Sequence, residues 1–281
     1  MNNLVRRTIT GAFIVIFVLG GLWLHPVTFF IVGAVILAGT QNEYYKMVRS
    51  TGIKPQVITG IITGFLVYFI STLVAIRVLP RESYLVLIPI MAIIMIIEIY
   101  RKNEKPFDSL AHTFFSILYT AVPVSMFPYS AFGRTGLQPL FQMENIVFSP
   151  GMLIGFFLLL WANDTGAYLV GSAFGKHRLM ERISPKKSWE GFFGGMLLTL
   201  VVSRLLSESL GGVDVKGWIA VALIVTIAGT FGDLLESMLK RSVGFKDSGS
   251  IMPGHGGFLD RFDSVVIAFP LVYLYIALFG L

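Results

Sequence analysis

Cysteine is absent from this chain of 281 residues. Disulfides and thiolate metal sites are therefore excluded. Charge is sparse, with 14% of residues Asp, Glu, Lys or Arg, against about a quarter in soluble domains. Histidine occurs four times. No second His or Cys stands at ligand spacing from His255, which argues against zinc. No internal repeat or low-complexity tract is evident. No small-residue cleavage site follows Arg6, Arg7 and the first apolar run. That run is read as a retained span and not as a removed signal peptide.

Apolar length fills the space that charge leaves. Hydrophobic residues make up 55% of the chain, the mean hydropathy is +0.77, and apolar runs near 20 residues recur. This pattern predicts an all-α, polytopic integral membrane protein. About nine spans fit it: Thr8 to Leu24, closed by His25-Pro26; Val27 into the polar Gln41-Asn42-Glu43; Val57 to Leu79; Tyr84 to Tyr100; Leu110 to Phe127, interrupted by Pro123 and Pro128; Gly151 to Phe174; Phe192 to Leu206; Trp218 to Leu239; and Ser264 to Leu281. With the N-terminus in the cytoplasm, all of the 22 Lys and Arg residues face inward except Arg77, Arg81, Arg134, Arg204 and Lys216. That bias is the positive-inside pattern. It places the polar loops 175–191 and 240–263 on the cytoplasmic side, where nucleotides are. The net charge of +6 then marks cytoplasmic loops, anionic lipid and phosphate substrates, with no nucleic acid partner. Residues 1–150 read as a transmembrane scaffold half. Residues 151–281 read as the half that carries the site, because nearly all the polar clusters fall there. The outer loop from Tyr129 to Pro150 is expected to be partly ordered and shows no chemistry.

Four clusters stand out in that second half. Asp164, in WANDTGAY, sits inside the sixth apolar run. A charge at a helix centre costs about 2.5–3.5 kcal/mol on insertion scales, so it needs a partner or a water-filled cavity. A wetted position near the helix end is the simpler account. Asn163 would share the same polar pocket. ISPKKSWEG follows, with Lys186 and Lys187 as compact cations suited to phosphate oxygens. Ser184-Pro185 reads as a turn or helix start, whose free N–H groups bind anions. An ordinary basic loop beside the membrane is the alternative. Asp233, Glu236, Ser237 and Lys240 are spaced to share one helix face. They could hold a metal or simply pair along the helix. Adding Asp260 and Asp263 gives more carboxylates than the nearby helical lysines neutralise, and magnesium takes one or two protein carboxylates with phosphates and waters. Finally, Pro253-Gly254-His255-Gly256-Gly257 is a turn in which glycine permits positive φ and close approach to a ligand. A plain loop would look the same. His255 there would hydrogen-bond a phosphate or fix the turn.

Taken together, Ser237-x-x-Lys240-Arg241-x4-Lys246-Asp247-x-Gly249 and His255-Gly256-Gly257-x-x-Asp260-Arg261-x-Asp263 closely resemble the signature of phosphatidate cytidylyltransferases, also called CDP-diglyceride synthases. ANDTGAY and SPKKSWEG are similar to segments of that family, so the resemblance spans about residues 150 to 281. Met252 stands where the family usually has Leu, Ile or Phe, a conservative departure. The N-terminal half matches only in hydropathy and span number. The resemblance implies that CTP and phosphatidate give CDP-diacylglycerol and pyrophosphate at the cytoplasmic membrane face. It implies Mg2+, a second cation nearby, and a homodimer. Carried over by motif, Asp233 and Asp260 are the first choices for metal ligands. Asp263, Asp164 and Glu236 follow, as ligands or as supports for Lys240, Arg241 and Arg261. Lys186, Lys187, Lys240, Arg241 and Lys246 are implied to bind phosphates. Ser184, Glu190, Ser237, Asp247, His255, Gly256 and Gly257 complete the implied substrate site.

Two rivals make sharper tests. A cation- or proton-coupled transporter would use Asp164 and Asp233 as a relay, but has no need of the cationic cluster at 240–246 or of HGGFLDRFD. A CTP-dependent lipid kinase would transfer the terminal phosphate, and the full signature argues against it. CDP-alcohol phosphotransferases are disfavoured because their DG-x-x-AR type of acidic motif is absent.

Overall fold

The computed structural model describes residues 3–132, 141–143, 146–210, 213–245, 248–249 and 256–279. Helices dominate, as apolar runs without water to satisfy the backbone require. They are α1 (Asn3–Leu24), α2 (Pro26–Ser50), α3 (Val57–Ala75), α4 (Leu87–Tyr100, preceded by a 3-10 turn at Arg81–Val86), α5 (Pro106–Ser116), α6 (Val122–Ser125), α7 (Phe127–Ala131), α8 (Gly151–Phe174), α9 (Trp189–Ser209), α10 (Val215–Ser242) and α11 (Leu259–Phe279). Two small antiparallel hairpins complete the described chain: β1 (Phe141–Met143) with β2 (Ile146–Phe148), and β3 (Arg178–Met180) with β4 (Ser184–Ser188).

Seven helical stretches among the described residues are long and apolar enough to cross a membrane: Val57–Ala75, Arg81–Tyr100, Pro106–Ala131, Gly151–Phe174, Trp189–Ser209, Val215–Ser242 and Leu259–Phe279. The protein is a multi-pass integral membrane protein. These seven correspond to the third through ninth expected spans. The first two expected spans fall on helices α1 and α2, which are not among the seven. The apolar stretch in α1 is shorter, at Thr10–Leu24, and α2 runs on through the polar Gln41-Asn42-Glu43 to Ser50. Between them, Pro26 opens α2 at a position where its missing N–H is no loss. His25 caps the helix through Val27 N–H, while Thr28 Oγ1 accepts from His25 N–H. The stretch Pro106–Ala131 passes through a π-helical turn at Ile117–Ala121 just ahead of Pro123. Widening the helix there absorbs the proline's missing donor. The loop expected to be partly ordered carries the β1–β2 hairpin.

The chain forms two compact units: Met1–Tyr129 with Ser242–Phe262, and Ser130–Arg241 with Asp263–Leu281. In the first, α2 and α3 approach closely over glycines. Gly33 lies against the Tyr68 ring, Gly60 against the Tyr45 hydroxyl, and Gly64 against the Gln41 amide. At the end of α4, buried Glu98 accepts from Gln56, Arg101 and Asn103 at 2.8, 2.8 and 2.9 Å, fixing the turn into α5.

In the second unit, α8 and α9 lie against one another along a seam of small residues. A Cβ on Gly166 would stand 2.6 Å from the Gly194 carbonyl, and one on Gly195 would stand 2.6 Å from Asn163 Oδ1. Small residues are how membrane helices gain contact, since lipid offers no hydrophobic drive between them. Trp218 of α10 is fully buried over Gly155 of α8, and Phe156 meets Phe269 edge-on with centroids 5.0 Å apart. The glycine on α10 that matters most is Gly232. A side chain there would stand 2.7 Å from the Asp263 carbonyl, so α10 and α11 cross at the residues that carry the acids.

Candidate active site

Four charged side chains meet in the second unit. Asp233, on α10, takes the Lys187 ammonium on Oδ2 at 2.5 Å and the Ser237 hydroxyl on Oδ1 at 3.2 Å. Asp263, on α11, lies in the field of the Asp233 and Asp164 carboxylates and of the Lys187 ammonium. Its Oδ1 accepts the Ser264 N–H at 2.5 Å. Asp164 is exposed on α8, while neighbouring Asn163 is buried in the glycine seam against Gly195. Three carboxylates and one lysine therefore act on one another electrostatically, which leaves the cluster net negative.

Lys187 reaches Asp233 because of a hairpin. β4 contains Lys186 and Lys187 on alternating faces, as a strand requires. Lys187 turns inward to the acids, whereas Lys186 is exposed. The expected turn or helix start at Ser184-Pro185 is corrected by this strand, which begins at Ser184. Ser184 pairs with Met180, and the helix begins after Ser188, whose Oγ caps Gly191 N–H at 3.1 Å. The missed signal is a serine just ahead of Trp189-Glu190, an ordinary N-cap position. Glu190 clamps the hairpin from the first turn of α9. It accepts from the N–H groups of Lys176 and His177 at 3.1 and 3.2 Å and meets His177 Nδ1 at 2.6 Å. His177 adds its carbonyl to the Trp189 N–H at 2.9 Å.

One turn further along α10, Glu236 is fully buried and paired with Lys240. Arg241 is exposed at the end of the helix. The four-residue offsets are realised as Asp233 with Ser237 and Glu236 with Lys240.

In the first unit, Asp260 lies in the first turn of α11, beside Gly256 and Gly257. Its carboxylate accepts from Ser248 N–H at 3.0 Å and from Gly257 N–H at 2.8 Å. Gly256 adopts φ +82°, and a Cβ there would stand 2.6 Å from Asp260 Oδ2. Arg261 is exposed. Lys246, Asp247 and His255 lie outside the described residues.

Among the described residues, no group of three or more His, Asp or Glu side chains is placed to hold a metal ion. Magnesium does not need one, because it is held by one or two carboxylates with substrate phosphates and retained waters. The hard oxygen donors of Asp233 and Asp263, with Asp164 adding charge, fit that description.

Membrane helices bearing acids and a lysine are common to many proteins, and comparison with known sequences narrows the field. The match to the cytidylyltransferase family runs over residues 5–279. The chain belongs to that family. Among its relatives are proteins named phosphatidate cytidylyltransferase from Staphylococcus epidermidis, 47% identical over 118 residues, and from Staphylococcus aureus, 48% identical over 118 residues. Each match covers 41% of this chain and 45% of the relative. A phosphatidate cytidylyltransferase of Haemophilus influenzae is 43% identical over 124 residues, 42% of this chain and 43% of the relative. The chain thus matches somewhat under half the length of each of these relatives.

Proposed function

We propose that this chain transfers CMP from CTP to phosphatidate, yielding CDP-diacylglycerol and pyrophosphate at the cytoplasmic face of the membrane. The observation that carries the reading is the meeting of Asp233, Asp263, Asp164 and Lys187 on membrane helices of a cytidylyltransferase-family protein. The names of its relatives supply the lipid acceptor.

A phosphatidate oxygen attacks the α-phosphorus of CTP. One P–O bond forms, the α–β bridging bond breaks, and pyrophosphate departs with the electron pair. The nucleophile is already anionic near neutral pH, so no strong general base is required. The obstacle is repulsion among several anions. Asp233 and Asp263 are the residues that would hold Mg2+, with Asp164 beside them. Bound there, the ion would neutralise phosphate charge and orient the in-line displacement. Lys187 presents its ammonium to the triphosphate from the hairpin. Ser237 holds the Asp233 carboxylate in orientation. Asp260 holds the N–H groups of Ser248 and Gly257. Lys240 keeps buried Glu236 neutralised, and exposed Arg241, Arg261 and Lys186 supply charge for headgroup and nucleotide. By the family resemblance, a second cation and a homodimer complete the assembly.

Release of labelled pyrophosphate from γ-labelled CTP tests the reading. It should require phosphatidate, stop in EDTA and return with added Mg2+. Label appearing in the lipid would indicate a kinase. Release without phosphatidate would remove the lipid from the reaction.

A further inference from the structure

Glu43 stands on α2, outside every motif above, and is 1% exposed. Its Oε2 accepts from Ser248 Oγ at 2.8 Å and from the Leu259 N–H at 2.9 Å. Leu259 is the first residue of α11. Its N–H is therefore one of the donors that helix geometry leaves without an intrahelical acceptor. A carboxylate at that end also meets the positive pole of the helix. Ser248 is held from the other side as well. Its N–H reaches the Asp260 carboxylate at 3.0 Å, and its Oγ accepts the Asp260 N–H at 3.3 Å. Two carboxylates from distant parts of the sequence thus grip one serine and the first turn of α11.

The glycines explain how the grip closes. A Cβ on Gly249 or on Gly257 would run into the Glu43 carboxylate, and one on Gly257 would strike Ser248 Oγ too. Gly257 is needed for approach to Glu43, a reason separate from any contact with a ligand. A buried carboxylate is unfavourable unless hydrogen-bonded. An apolar residue on α2 would fill the space, but could not hold the Ser248 and Leu259 donors.

We propose that Glu43 is a positioning residue for catalysis. By holding Ser248 and the Leu259 N–H, it fixes Ser248, Gly257 and the start of α11 in the conformation that nucleotide binding requires. Its kinetic consequence rests on the cytidylyl-transfer reading; its structural consequence does not.

The test uses the full chain in lipid nanodiscs with Glu43→Ala, Glu43→Gln and Ser248→Ala. Amide hydrogen exchange at Ser248 and Leu259 should rise on the order of tenfold in Glu43→Ala, as local opening becomes easier. The kcat/KM for CTP should fall on the order of tenfold or more, since small misplacements are costly in catalysis, while KM for phosphatidate stays within about twofold. Glu43→Gln should recover part of both effects, because its carbonyl oxygen accepts either bond. Ser248→Ala should give a smaller loss that is less than additive with Glu43→Ala. Wild-type exchange in folded Glu43→Ala overturns the grip. Wild-type kinetics or strict additivity overturns the catalytic role. If Glu43→Ala fails to assemble, Ser248→Ala decides alone, and unchanged exchange and kinetics there overturn the proposal. Should Glu43→Ala raise exchange while the parent chain releases no phosphatidate-dependent pyrophosphate, the reaction falls and the grip remains.

Discussion

Asp233 meets a lysine from another element on one oxygen and a serine from its own helix on the other. Asp263 has no such division, since two further carboxylates and only one ammonium act on it. Removing its charge should therefore relieve repulsion while depriving a cation of its ligand. Asp263→Asn is expected to preserve or raise the melting temperature yet cut turnover about 100-fold or more, the scale of one lost preorganised electrostatic group. Thermal melting beside pyrophosphate release checks both halves. Lys240 behaves in the opposite way. Its partner Glu236 has a side chain at 0% exposure, so Lys240→Met leaves that carboxylate without its ammonium. Breaking a buried pair from one side destabilises by about 3–5 kcal/mol. The double variant Lys240→Met, Glu236→Leu should recover most of the loss in a denaturation series. Activity lost in Lys240→Met is then to be read as a stability effect wherever the double variant regains it.

At the level of elements, the contacts within α10 were legible in the sequence, because a four-residue offset fixes which side chains meet on a helix. The β3–β4 hairpin was not. RLMERISPKKS lacks the alternating β-branched residues that mark a strand, and its proline and lysines look like loop. Only tertiary contact, through Glu190 and His177, makes it one. Glu43 is equally hidden in the sequence, since along the chain it is the polar end of an apolar run and its partners lie far away in sequence. The α8–α9 seam was half legible, in that Asn163 stands out beside Asp164 but its close approach to Gly195 cannot be read along the chain. Gly195→Val would push into Asn163 and separate the two helices. Overpacking of this kind costs about 1–3 kcal/mol. Because β4 leads directly into α9, it should also weaken the Lys187–Asp233 contact. The expected result is a lower melting temperature together with a higher KM for CTP, whereas Gly195→Ala should show a smaller version of each.

Across the whole molecule, the aliphatic side chains divide between those that pack and those that do not. The apolar window of Arg81–Tyr100 is only 11% buried, against 50% for Gly151–Phe174. Ile88, Ile93, Ile96 and Ile99 all project away from the rest of the chain. Such a helix obeys partition and not shape. Exchanging those isoleucines for leucine, valine or phenylalanine should leave melting and turnover untouched, whereas similar swaps at buried Leu159 or Leu160 should not. A single aspartate at Ile93 would disfavour bilayer insertion by about 2.5–3.5 kcal/mol, read directly as a drop in membrane-integrated yield. Acyl chains thus act as the solvent for this stretch, and its evolution is free to drift among oily residues as long as none of them is wet.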